Sequence, residues 1–130
     1  MKILHKKTDM VAVTKAWQGS GERVCLVPTM GNIHQGHLAL IKRARKTAER
    51  VVVSIFVNPT QFGTDEDFDS YPRTLDADCA VIAAEGGCDV IYAPTSLYDA
   101  AHATNIIPSG VALPMEGEAR PHFFAGVATV

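Results

Sequence analysis

The 130-residue chain, with 47% hydrophobic and 20% charged residues, has the composition of one soluble globular domain with enough apolar side chains for a core. A formal net charge of −2 and a pI near 6.2 give no basic field for neutralising phosphates, which excludes nucleic acid as a default partner. No apolar run reaches the roughly 20 residues of a membrane helix and residues 1–7 lack a signal-peptide apolar region, so no membrane partner is expected and the cytoplasm is the expected location.

Cys25, Cys79 and Cys88 are odd in number and form no Cys-x-x-Cys pair, which argues against a disulfide framework or a thiolate metal site. They read as small buried hydrophobes. Residues 2–5 suit a short strand, after which Thr8 and Asp9 offer a cap for a helix to Gln18, ended by Gly19-Ser20-Gly21. Residues 23–28 form a short apolar run of the kind covered on both faces, the first strand of a main sheet.

From Gly36 to Arg50, Leu38, Ile41, Ala44 and Ala48 make one apolar helical stripe, with Lys42, Arg43, Arg45, Lys46 and Arg50 elsewhere. Those charges spread around the polar side, which fits a solvated helix face better than a phosphate patch. Residues 51–57, β-branched and apolar, predict a central parallel strand that Asn58-Pro59 stops. Residues 60–73 are a polar loop with Gln61, Gly63, Asp65, Glu66, Asp67, Asp69 and Tyr71-Pro72, placed where α/β proteins keep their sites.

Thr74 is placed to cap a third helix running to Gly86-Gly87, and residues 89–94 follow as a strand. Alternating strands and helices with short joins predict right-handed crossovers and a parallel α/β sheet. Residues 104–108 suit an edge strand, residues 108–121 are rich in Pro and Gly, and the apolar run 126–130 ends without a stop signal, as at a cut.

The centre of the sequence is Val27-Pro28-Thr29-Met30-Gly31-Asn32-Ile33-His34-Gln35-Gly36-His37, a strand, a tight loop and a helix start. Such a join presents unpaired backbone N–H groups and the positive end of the helix dipole to an anion. Gly31 and Gly36 allow close backbone approach or positive φ. His34 and His37 can each donate a ring N–H to a phosphate, and either imidazolium would offset charge on a leaving pyrophosphate. His-x-x-His is also metal-ligand spacing, but no third ligand stands near it in sequence.

Pro28-Thr29-Met30-Gly31-Asn32-Ile33-His34-Gln35-Gly36-His37, Ser54-Ile55-Phe56-Val57-Asn58-Pro59-Thr60-Gln61-Phe62, Tyr71-Pro72-Arg73-Thr74 and Glu116-Gly117 together resemble the pantoate–β-alanine ligase family. The His-x-Gly-His element alone would indicate only the broad nucleotidyltransferase superfamily. The resemblance implies a Rossmann-like parallel sheet with flanking helices of the His-x-Gly-His adenylyltransferase type, one nucleotide- and pantoate-binding domain over residues 1–130, cut before a second domain. It implies that pantoate and ATP give pantoyl adenylate and pyrophosphate, and that β-alanine then attacks to give pantothenate and AMP. Mg2+ would accompany the triphosphate, held mostly by phosphate oxygens and water.

By the same resemblance ATP lies along Met30, Gly31, Asn32, Ile33, His34, Gln35, Gly36 and His37. His37 is the stronger candidate for assisting pyrophosphate departure, and His34 joins it as catalytic. Gln61 binds pantoate, while Met30, Asn58 and Tyr71 line or support the pantoate and β-alanine pocket. The full-length form is expected to be a homodimer. The family reads Arg-Pro-Gly-His-Phe where this chain has Arg120-Pro121-His122-Phe123-Phe124, so no role passes to His122. The family's later cationic phosphate loop is not in this sequence, which leaves a non-catalytic ATP- and pantoate-binding fragment, or another His-x-Gly-His nucleotidyltransferase, as alternatives. A partner strand lying beyond Val130 would leave an exposed apolar edge beside residues 24–27.

Overall fold

A computed structural model describes residues 1–130. Two compact units make up the chain, Met1–Val57 with Pro72–Thr95, and Asn58–Tyr71 with Ser96–Val130.

The first unit carries the sheet. Its elements in chain order are β1 (Lys2–Leu4), α1 (Lys7–Gly19), β2 (Val24–Thr29), α2 (Gln35–Arg45), β3 (Arg50–Ile55), α3 (Leu75–Glu85) and β4 (Val90–Tyr92). The strands form one four-stranded sheet in the order β1-β4-β3-β2, with every pairing parallel. Parallel neighbours need a crossover between them, and the helical periodicity between the apolar runs provides it. This is the α/β, Rossmann-like architecture that the alternation predicts.

The core lies between sheet and helices. Ile41 and Leu38 of α2, Ile82 and Cys79 of α3, and Val51, Val53 and Ile91 of the inner strands pack in one cluster. Ile41, Val51, Val53, Ile82 and Ile91 have no exposed surface. Each such side chain contributes about 1.5–3 kcal/mol by leaving water.

Several local expectations are corrected. Helix α1 begins one residue before Thr8, so Thr8 lies in its first turn, the N-cap is Lys6 and no side chain caps the helix. Strand β2 is not covered on both faces: it pairs only with β3 and leaves Leu26 56% exposed beside buried Val27. Pro28, which has no N–H to give a ladder, is tolerated in that edge strand. Helix α2 stops at Arg45, and Arg50 opens β3. The basic residues do form a solvated face, as expected, and three of them are ion-paired there, Lys42 with Glu85 at 3.0 Å, Arg45 with Asp89 at 2.6 Å and Arg50 with Glu22 at 2.8 Å. All three cysteines are free, but only Cys79 is buried.

The second unit contains a 3₁₀ turn (Pro59–Gln61), another (Gly110–Ala112), α4 (Glu116–Ala119) and α5 (Phe123–Thr129). Residues 104–108 form no strand. The Ile106 N–H bonds the Thr129 hydroxyl at 2.9 Å and Ile107 is 85% exposed, so two β-branched residues without a neighbouring strand stay irregular. No helix is long and apolar enough to cross a membrane.

Candidate functional site

Within the first unit the chain leaves β2 at its carboxyl end, where ligands of open α/β sheets bind. The Thr29 hydroxyl donates to the Ser54 carbonyl at 2.8 Å and accepts the Gly31 N–H at 3.2 Å, which starts the turn. Gly31 (φ +84°) and Asn32 (φ +52°) are both left-handed, a conformation that glycine adopts freely and asparagine tolerates. A Cβ on Gly31 would stand 3.0 Å from an Asp78 oxygen.

That carboxylate changes the reading of the loop. Asp78, on α3 and 4% exposed, accepts the Asn32 N–H at 3.1 Å, the Ile33 N–H at 2.7 Å and the Thr74 hydroxyl at 3.1 Å. The amides of Gly31, Asn32 and Ile33 are therefore already partnered, contrary to the expectation of unpaired donors along the turn. Thr74 stands at the N-cap of α3, but its hydroxyl serves Asp78 and caps no backbone group. The sequence hid Asp78 because an acidic residue in the first turn of a helix has a sufficient explanation in the helix dipole.

Beyond Ile33 the two histidines cap α2 reciprocally. His34 is the extended N-cap residue; its Nδ1 accepts the Gly36 N–H at 3.1 Å, while its own N–H donates to His37 Nδ1 at 3.4 Å. The rings lie 4.1 Å apart between centroids. An Nδ1 that accepts carries no proton, so each ring holds its proton on Nε2 and presents Nε2–H away from the cap. Burial, with His34 as neighbour, pushes the His37 pKa below its usual value; Asp78 opposes this. Of the two uses expected of Gly36, close approach and positive φ, the structure shows the first: a Cβ there would stand 2.9 Å from the His34 ring, and φ is not positive. Asn32 and Gln35 are exposed, and Met30 and Ile33 are half-buried.

The remaining candidates fall in the second unit. Asn58 is 1% exposed and Gln61 is 7% exposed, unusual for loop polars. The Asn58 oxygen receives the Thr60 N–H at 3.2 Å, the Thr60 hydroxyl at 2.9 Å and the Tyr98 hydroxyl at 3.0 Å. Its amide nitrogen donates to the Gly126 carbonyl at 3.1 Å and to Gln61 Oε1 at 3.0 Å. The network orients both amides: Gln61 spends its oxygen on Asn58, which leaves Nε2 as the donor end of its side chain. Glycine is required at 126, because a Cβ would stand 2.5 Å from the Thr60 carbonyl oxygen.

Arg120 donates to the Gln61 carbonyl at 2.8 Å, to Glu116 at 2.9 Å and with two nitrogens to Glu66. This guanidinium holds the Glu66 carboxyl down at about 2. Tyr71 packs edge-on against Phe62, with centroids 5.5 Å apart. His122 Nε2 makes no hydrogen bond and lies 3.8 Å from Glu66. Thr60, Tyr98, Arg120 and Gly126 were not among the sequence candidates; only the Arg120-Pro121 pair carried a signal. Nowhere do three or more His, Cys, Asp or Glu side chains converge as a metal site.

The profile of the family described as pantoate-beta-alanine ligase matches residues 2–130. The pantothenate synthetase of Caulobacter vibrioides is 48% identical over 130 residues, covering 98% of this chain and 45% of its own length. That of Mycobacterium ulcerans is 50% identical over 133 residues, covering 100% and 42%. Pantothenate synthetase from Thermus thermophilus superposes with a TM-score of 0.87 at 40% identity, over 99% of this chain and 46% of that one. Pantoate-beta-alanine ligase from Francisella tularensis, complexed with β-γ ATP and β-alanine, superposes with a TM-score of 0.88 at 34% identity, over 99% and 50%. The chain spans about half the length of the relatives it matches.

Proposed function

Because the chain belongs to the pantoate–β-alanine ligase family, we propose that residues 1–130 form the ATP- and pantoate-binding part of an enzyme that joins pantoate to β-alanine through pantoyl adenylate. The observation that carries this is the reciprocal cap of His34 and His37, which leaves two neutral Nε2–H donors side by side at a helix N-terminus. Two donors and a helix dipole suit the oxygens of a triphosphate.

In the first step a pantoate carboxylate oxygen attacks the α-phosphorus of ATP. The bond from that phosphorus to the β-bridging oxygen breaks, and its electron pair leaves on pyrophosphate. His34 and His37 donate to the phosphate oxygens whose charge grows as the bond breaks, and His37 assists departure of pyrophosphate. Gln61 donates through Nε2 to pantoate oxygens, held by Asn58; Met30 and Tyr71 border the acid and amine substrates. In the second step the β-alanine amine attacks the acyl carbon, AMP leaves with the electron pair of the acyl–oxygen bond, and the new amide loses a proton.

Mg2+ enters as part of the substrate complex with ATP. This chain offers no cage for it: both Asp78 oxygens are taken by N–H and O–H donors, so no step is assigned to a protein-bound metal. We further propose a cytoplasmic homodimer for the full-length ligase, whose activity is the one described.

In a full-length ligase carrying these residues, His37→Ala is expected to slow pantoate-dependent ATP–pyrophosphate exchange by about 10²–10³-fold, the scale of losing one donor at a developing anion. An unchanged exchange rate sinks the reading.

A further inference from the structure

We infer that Asp78 is a positioning residue for the adenylation step: its carboxylate clamps the Asn32 and Ile33 amides and so fixes the direction in which His34 and His37 present their Nε2–H groups. The inference rests on the function proposed above for the two histidines.

Four observations converge on this carboxylate. It is 4% exposed, yet it lies in no ion pair; three neutral donors hold it, two from the turn and one from Thr74. A buried carboxylate is costly unless its oxygens are fully served, and this one is served by the loop itself. The clamped amides belong to a left-handed residue and its successor, the backbone that delivers the chain into His34. Gly31 leaves only 3.0 Å between its would-be Cβ and Asp78, so carboxylate and turn fit without slack.

Two amides pinned from below leave the turn little freedom to rotate, and the His34 N–H that meets His37 Nδ1 follows directly. The same carboxylate acts on His37 through its field. The charged or titratable groups that act on His37 are His34, which lowers its pKa, and Asp78, which raises it. Asp78 thus affects both where the donor points and how readily its ring holds a proton.

Asp78→Asn keeps the volume but removes the charge and turns an N–H₂ toward one of the two amides, so a donor meets a donor. In a full-length ligase it is expected to lower kcat of ATP–pyrophosphate exchange by about 10²-fold, the cost of a misplacement on the order of 1 Å, with the KM for pantoate little changed. In the 130-residue chain, NMR is expected to show the Asn32 and Ile33 amide protons shifted and the His37 titration midpoint lowered. Exchange within about threefold of the parent, with unmoved amide resonances and midpoint, overturns the inference. If Asp78→Asn does not fold, Thr74→Val decides: it removes the hydroxyl that holds Asp78 Oδ2 beside the Asn32 N–H, so the carboxylate keeps two donors in place of three and is held less firmly against the turn. A fall in kcat at constant pantoate KM supports the clamp, and an unchanged kcat with an unmoved His37 midpoint refutes it. A parent enzyme without pantoate-dependent exchange would defeat the functional reading, and the two NMR readouts would still judge Asp78.

Discussion

Arg120 shows how one side chain can organise a polar loop. Its guanidinium serves the Gln61 carbonyl, Glu116 and Glu66 together and lies 4.4 Å over the Phe123 ring. The consequence is a pH dependence with a definite sign. Glu66 has its carboxyl at about 2 in place of the ordinary 4.5, so it favours the folded state above 4.5 and loses that contribution as pH falls toward 2. The urea midpoint of the chain is expected to decline across that window, and to decline less in Arg120→Met. Parallel declines in both proteins would show that the pair does not govern acid stability. His122 stands 3.8 Å from Glu66, too far for a hydrogen bond, and adds through its field a pull on the Glu66 carboxyl in the same direction, smaller than that of Arg120.

At the scale of elements, α5 and the 3₁₀ turn over Pro59–Gln61 meet with no room between them, because the Gly126 carbonyl accepts from Asn58 and the Gly126 Cα faces the Thr60 carbonyl. Gly126→Ala must move one of the two and release the Gln61 amide from its orientation. The expected result is a rise of about tenfold or more in the KM for pantoate, the scale set by losing one oriented hydrogen bond, with the ATP KM little changed. Equal changes in both constants would argue for general loosening instead. Strands and helices built on long apolar periods were legible in sequence, because burial of Val51, Val53 and Ile41 decides them. Helix α5 was not. Its sequence Phe-Phe-Ala-Gly-Val-Ala-Thr has weak helix formers and a central glycine, and contacts distant in sequence hold it. The His34/His37 turn was legible as a motif, but Asp78 was not, since it stands 45 positions along the chain from the Ile33 amide that it clamps.

For the whole molecule, burial is uneven. The first unit holds every fully buried aliphatic side chain, whereas in the second the buried residues are Asn58, Gln61 and Gly126. The second also exposes Ile107 by 85%, Val111 by 98% and Met115 by 86%. Few buried apolar contacts mean low local opening energies. Amide hydrogen exchange is expected to be slowest in β3 and β4 and fastest across residues 99–112; comparable protection in both regions would contradict this. The polar content of each unit carries a further meaning for ligand chemistry. His34 and His37 use their ring acceptors on the helix cap, and Gln61 uses its oxygen on Asn58, so each offers only N–H outward. A ligand that meets these three side chains must therefore bring lone pairs, as carboxylates, sulfonates or sulfonyl oxygens do. An ammonium or guanidinium group would find no acceptor on these three side chains.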